Sequence, residues 1–347
     1  MLQHNDQESF MNRRCVLLST VLGLAVTAAW ADDTLKTMSS KTPLRCTVTG
    51  VTATEVTYDQ NSISKTVPVN EVEWIAFDEE PRPLTSARLA AVAGKFDEAQ
   101  ASLANLDPAA SKRIELRQEI EFYKAYVPAQ LALLGSENLD GAARAMFAFV
   151  QKNATSWHYY DACQVVGDLA VAKKSYEVAQ TYYGNLGKAP WPDYKMRAHV
   201  ALANALLAQG KTADALPLFE EVLSSQARGD LADRQKLAAT LGKARCLAAS
   251  QKLDEAVKMV HEVIANSSPE DVAINAQAYN ALGNIYRKSR KTDDALLAFL
   301  HVELLYPSIP KERIEALENL VPLWTEKQRP DRAREAERIL RDEYGRQ

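Results

Sequence analysis

Residues 278–307 read "AYNALGNIYRKSRKTDDALLAFLHVELLYP": two runs of small and apolar residues around a polar turn. Whether these residues grip a ligand or stack against copies of themselves decides what the chain is. The motif inside the second run, "KTDDALLAF" with Ala295, recurs. It returns as "KFDEAQASL" (Ala99), "NLDGAARAM" (Ala142), "SYEVAQTYY" (Ala179), "KTADALPLF" (Ala215), "KLDEAVKMV" (Ala256) and "RPDRAREAE" (Ala333). Self-similarity at a period of 36 to 43 residues marks a repeat array, in which each unit buries its apolar face only against its neighbours. Four residues after the alanine stands a large side chain: Leu103, Met146, Tyr183, Phe219, Val260 and Phe299. The last copy has Glu337 there, which suits a solvated terminal cap.

These segments resemble tetratricopeptide repeats, a family of paired antiparallel helices. Tyr279, Leu282, Gly283, Tyr286, Ala295, Phe299 and Pro307 match the signature in type and spacing. Neighbouring copies match through Gly167 and Ala179, through Leu202, Ala203 and Ala215, and through Ala244 and Ala256. The resemblance implies a mainly α fold: an α-solenoid of about six or seven helix pairs over residues 84–347. The small residue twelve positions before the alanine would let the two helices of a pair approach, and the aromatic would fill the space between layers. The conspicuous residues of the opening stretch are therefore expected to stack.

Ahead of the array the apolar period is two. Residues 44–80 hold Val48, Val51, Val56, Tyr58, Val67, Val69, Val72, Trp74, Ile75 and Phe77, broken by "TGVTATE" and "DQNSIS". This predicts a small antiparallel β module of four or five short strands that resembles Sm-like or SH3-like barrels and serves docking or capping. Residues 32–43 read as a linker, and "DEEPRP" (78–83) as a solvated, proline-marked boundary. Residues 1–31 carry Arg13 and Arg14, an apolar run and "AWA" at 29–31, the pattern of a secretory signal peptide with its start at Met11. The expectation is an exported chain, in a bacterial periplasm or another extracytoplasmic space, with no integral membrane segment after cleavage.

Composition narrows function by exclusion. The net charge of −4 gives no reason to expect nucleic acid as a partner. Beyond the leader, Cys46, Cys163 and Cys246 are far apart and odd in number, which suits core thiols better than a disulfide framework. No phosphate-binding glycine loop, nucleophile elbow, H-E-x-x-H or metal-spaced cysteine pair is present, so the chain reads as a non-enzyme without cofactor or metal. His199 takes the place of Tyr279 in another repeat, and packing explains it better than a ligand role. "SWHYYDAC" (156–163) is the densest aromatic cluster; it reads as the start of a helix, with Ser156 as N-cap, packed on the preceding repeat.

The resemblance then implies where a partner would bind. The first helices of the pairs line a concave surface, and the position after the small residue faces it: Asp168, Asn204, Arg245 and Asn284. Gln277, Asn280 and Arg287 fall on the same exposed stripe, as does Arg197. Asn and Arg can hold a peptide backbone or a carboxylate. The expected function is a scaffold or adaptor for proteins or peptides of the cell envelope. The rival accounts are a solvated polar face, a self-associating structural protein stacked end to end, and an accessory subunit of an envelope enzyme.

Overall fold

Threonine- and valine-rich stretches form five strands: β1 (Asp33–Thr37), β2 (Leu44–Val51), β3 (Glu55–Gln60), β4 (Ile63–Pro68) and β5 (Val72–Ala76). The computed structural model describes residues 33–135 and 138–346, so the signal peptide and its start at Met11 lie outside the described residues. Every pairing is antiparallel, in the order β4-β3-β2-β1-β5. Asn61 and Ser62, both at positive φ, close the two-residue β3–β4 hairpin with Gln60 opposite Ile63. A single 3-10 turn, Val69–Glu71, joins β4 to β5. The edge strands β4 and β5 do not pair among the described residues, so hydrogen bonding closes no barrel.

Residues 33–37 lie within the stretch read as a linker, yet they form an inner strand of the sheet. The strand carries a single large apolar residue, Leu35, and opens on an aspartate, so neither alternation nor β-propensity announces it. Tertiary contacts hold it in place. Asp33 is fully buried and accepts from the backbone N–H of Val48 (2.7 Å) and Asp78 (2.8 Å). Arg113 donates to both carboxylate oxygens, at 2.7 and 2.9 Å, and to the Val48 carbonyl at 3.0 Å. Such a bidentate pair is oriented as well as strong.

The helices pair in chain order: α1 (Arg82–Val92) with α2 (Phe96–Leu103), α3 (Ile114–Leu134) with α4 (Leu139–Lys152), and α5 (Tyr159–Ala172) with α6 (Tyr176–Leu186). Then follow α7 (Pro192–Ala208) with α8 (Thr212–Ser224), and α9 (Asp230–Ala249) with α10 (Leu253–Asn266). The last pairs are α11 (Val272–Lys288) with α12 (Thr292–Leu305), and α13 (Pro310–Glu326) with α14 (Pro330–Tyr344). All seven repeat alanines fall on the second helix of a pair and are buried. The large residue four positions on lies against the small one of the facing helix. At Gly283 an added Cβ would stand 2.7–2.8 Å from the Phe299 ring, and Gly167 faces Tyr183 in the same way. Cys46, Cys163 and Cys246 are all buried.

Sheet and helices share one core, which runs from Leu35, Val56 and Ile75 through Leu84 and Ala87 to Ile120 and Leu169. A buried polar hub sits beside it. Glu119 of α3 accepts from Trp157 Nε1, lies 2.9 Å from His158 Nε2, and faces Arg88 at 3.6 Å. Arg88 also donates to Glu80 at 2.8 Å, so the "DEEPRP" segment is not wholly solvated: Glu80 is turned inward. "SWHYYDAC" packs as expected: His158 stacks on Phe122 with centroids 3.7 Å apart, and Trp157 is buried. The cap differs, because the helix starts two residues later: the Ser156 hydroxyl receives the His158 N–H, and His158 precedes α5.

The array curls back on itself. The odd-numbered helices from α3 to α13 each touch the next, and α13 touches α3. Leu134, at the end of α3, shares a core with Leu317 of α13 and Leu340 of α14. Arg346 donates to the Leu134 carbonyl at 2.9 Å and to Glu318 at 2.9 Å, satisfying a carbonyl that the helix end leaves free. At Gly94 (φ +72°), between α1 and α2, a Cβ would stand 3.2 Å from the Ser308 carbonyl.

Candidate functional site

The inner face of this ring is built from α3, α5, α7, α9, α11 and α13, and charged groups on non-adjacent helices come near enough to act on one another. Lys311 of α13 acts on Asp168 of α5, and Glu312 and Glu315 of α13 act on Arg245 of α9. Two hollows of different character open here.

The first lies at the C-terminal ends of α7, α9 and α11, with a volume of about 740 Å³. Asn204, Arg245, Asn284 and Arg287, four of the residues expected to face a partner, line it together with Lys288. A common offset within each repeat puts Asn204, Arg245 and Asn284 on successive inner helices, and Arg287 follows one turn after Asn284 on α11. Arg245 Nη2 donates to Asn204 Oδ1 at 2.8 Å, and Asn284 Nδ2 donates to Glu315 Oε1 at 2.8 Å. Arg287 is hydrogen-bonded to Asn319. Arg245 keeps solvent access at the mouth, yet the surrounding helices desolvate it enough to hold its pKa below the ordinary guanidinium value, despite Glu315 and Glu312. The lining carries three cations and no carboxylate, so it is chemically suited to an anionic or carbonyl-rich group.

The second hollow, about 520 Å³, lies between the sheet and the N-terminal ends of α5, α7 and α9. Asp168 and Arg197 line it. Arg197 pairs with Asp161 at 2.8 Å, is hydrogen-bonded to Gln164, and lies 5.0 Å from the Tyr194 ring centroid. Tyr183 Oη donates to Asp168 at 2.7 Å. Burial nonetheless raises the Asp168 and Asp193 pKa values above the usual carboxylate range, and pushes Tyr126 up to about 12.

The other two expected residues line neither hollow. Asn280 is not exposed: it is 2% accessible and donates to the Glu312 carbonyl and side chain, both at 2.9 Å, tying α11 to α13. Helical spacing placed it on an inward stripe, but α13 covers that position. Gln277 is half-buried. His199 is half-buried beside Glu221 at 3.5 Å. Asp161, Gln164, Asp193 and Tyr126 were not anticipated. Asp161, Gln164 and Asp168 share one helix face by their spacing, a signal the sequence did hold. Asp193 is brought in by Asn70 of the β4–β5 turn, at 3.1 Å, which only the fold supplies.

A tetratricopeptide repeat family model matches residues 206–274, from the end of α7 to the start of α11. The chain carries tetratricopeptide repeats there, and the same helix-pair arrangement continues to either side. No curated protein matches significantly. Among solved structures, a tetratricopeptide repeat protein from Parabacteroides merdae is 14% identical over 74% of this chain and 91% of its own, at a TM-score of 0.48. Pseudomonas aeruginosa pilF is 15% identical over 67% of this chain and 93% of its own, with a TM-score of 0.41.

Proposed function

We propose that this array of tetratricopeptide repeats is a non-catalytic scaffold or adaptor that holds a segment of a partner protein at the basic mouth of its ring. The observation that carries the reading is the convergence of Asn204, Arg245, Asn284 and Arg287 on one hollow lined by cations and no carboxylate. Arg forks and Asn amides suit a partner's acidic side chain, terminal carboxylate or backbone carbonyls. The fold supports an interaction role in general. The leader pattern of residues 12–31 supports an envelope location, in the periplasm or another extracytoplasmic space, and hence partners there.

The test is affinity capture from envelope extract with the wild-type chain beside the variant carrying Asn204→Ala, Arg245→Ala, Asn284→Ala and Arg287→Ala. A partner retained by the wild type and lost by the folded variant is the expected result. Equal retention by both would remove the basic mouth from the account. Cell fractionation checks the location: a chain found only in the cytoplasm, with residues 1–31 retained, would sink it.

A further inference from the structure

The charges gathered around the basic mouth are not paired with one another. Arg245, Arg287 and Lys288 form no ion pair among the described residues, and neither does Glu315 of α13. Asparagines take the place of ionic partners. Arg245 donates to Asn204 at 2.8 Å and Arg287 to Asn319, while on α13 Glu312 accepts from Asn280 at 2.9 Å and Glu315 from Asn284 at 2.8 Å. A carboxylate held by a neutral amide keeps the field that a guanidinium would have cancelled.

Glu315 brings that field to the mouth. It stands outside the lining and is half-buried, yet it engages one lining residue, Asn284, and acts on another, Arg245. Its charge is also felt one turn earlier on its own helix. Glu312 is 5% accessible, and burial lifts its carboxyl above the usual range, with Glu315 adding to the rise. An anion entering the mouth therefore meets three cations and, beside Asn284, one carboxylate that repels it. Of the two N–H groups of Asn284 Nδ2, one is already spent on Glu315.

We propose that Glu315 is an internal competitor for the basic mouth, its carboxylate taking Asn284 and opposing the carboxylate of an incoming acidic segment. The inference rests on the reading of the mouth as the partner site and adds what regulates it. Repulsion built in beside the attractive groups keeps the segment weakly held and quick to leave.

The test is calorimetric titration of the full chain and its variants with an end-blocked Gly-Ser-Glu-Asp-Ser-Gly peptide, beside the same peptide with Lys at both acidic positions. Glu315→Gln, which keeps an oxygen for Asn284, is expected to bind the acidic peptide about fivefold tighter than the wild type, a gain that shrinks as salt rises. Glu315→Ala, which frees Asn284 altogether, is expected to bind at least as tightly as Glu315→Gln. A purely structural role would give weaker binding, not tighter. The lysine peptide should gain nothing from either change. Glu335→Gln, the same change of charge on an exposed residue of α14, is expected to leave affinity as in the wild type; an equal gain there would reduce the effect to net charge and overturn the proposal. Unchanged or weaker binding in both Glu315 variants, with Arg245→Ala still weakening it, would also overturn the proposal and leave the mouth standing as the partner site. Acidic-peptide binding absent from every chain, or indifferent to Arg245→Ala, would remove the mouth and its competitor together.

Discussion

Phe299 and Gly283 show how little room a repeat leaves at the scale of one residue. The ring of Phe299 occupies the space a Cβ at Gly283 would need, so Gly283→Ala forces the two helices apart or the ring out of its rotamer. Overpacking of this kind costs about 1–3 kcal/mol, to be read as a lower urea midpoint at unchanged slope. Phe299→Leu in the same chain is expected to recover part of the loss. Glu119 sets a second expectation. It is fully buried, and although burial opposes its charge, His158, Arg88 and Trp157 together hold its pKa below the ordinary value. A depressed carboxylate contributes stability that is complete above the unfolded pKa of about 4.3 and lost as pH falls through the folded value. The melting temperature of the wild type is therefore expected to drop more steeply below about pH 4 than that of Glu119→Gln, which starts lower at neutral pH. Parallel slopes would show that Glu119 holds no special charge. Its place was legible in outline: Leu116, Ile120 and Tyr123 put residue 119 on a core face. Its partners, Arg88 of α1 and the adjacent Trp157 and His158, were not.

At the scale of the element, the turns between paired helices share a device that composition hides. Each carries a residue at positive φ: Gly94, Gly135, Lys174, Gly210, Gln251, Arg290 and Gln328. Apart from Gly135, each stands five residues before the repeat alanine. Four of them are not glycine, and a left-handed conformation costs an L residue about 1 kcal/mol. Gln251→Gly is expected to raise stability by up to about that amount, and Gly94→Ala to lower it by more, since its Cβ would also press on Ser308. Thermal melts of the two variants should move in opposite directions. The helices themselves were plain from their 3.6-residue period, whereas β1 was missed. A five-residue strand with one apolar anchor becomes a strand because β2 and β5 pair with it and Arg113 neutralises Asp33.

Ring closure is the feature of the whole molecule, and it bears on self-association. A linear stack needs a free terminal face, but part of the face of the last pair is spent on α3 of the same chain, through Leu134 and Arg346. Light scattering over a concentration series is therefore expected to give a constant mass, and a mass that climbs would revive end-to-end assembly. Arg346→Ala removes both the bond to the Leu134 carbonyl and the contact with Glu318. Hydrogen exchange is expected to quicken in α14 and at the end of α3, with α8 to α10 unchanged. Faster exchange throughout would mean that closure holds up the array as a whole.

The repeat alanines, their large partners and the spacing between them determined the helix pairs, because a unit that buries its face only against its neighbours must encode that contact locally. The same local logic placed Asn204, Arg245 and Asn284 at one repeat position, with Arg287 one turn on, and the structure brings them to one hollow. Curvature was not encoded in any one repeat. It accumulates from small rotations at every interface until α13 meets α3; on the way, the packing of α13 on α11 buries Asn280 and brings Glu312 and Glu315 near Arg245. Contacts between residues far apart in the chain also decided the sheet's first strand and the acidic hollow, where Asn70 meets Asp193 across 123 positions. Periodicity reports neighbours within a few turns; it is silent on which distant surfaces the finished ring presses together.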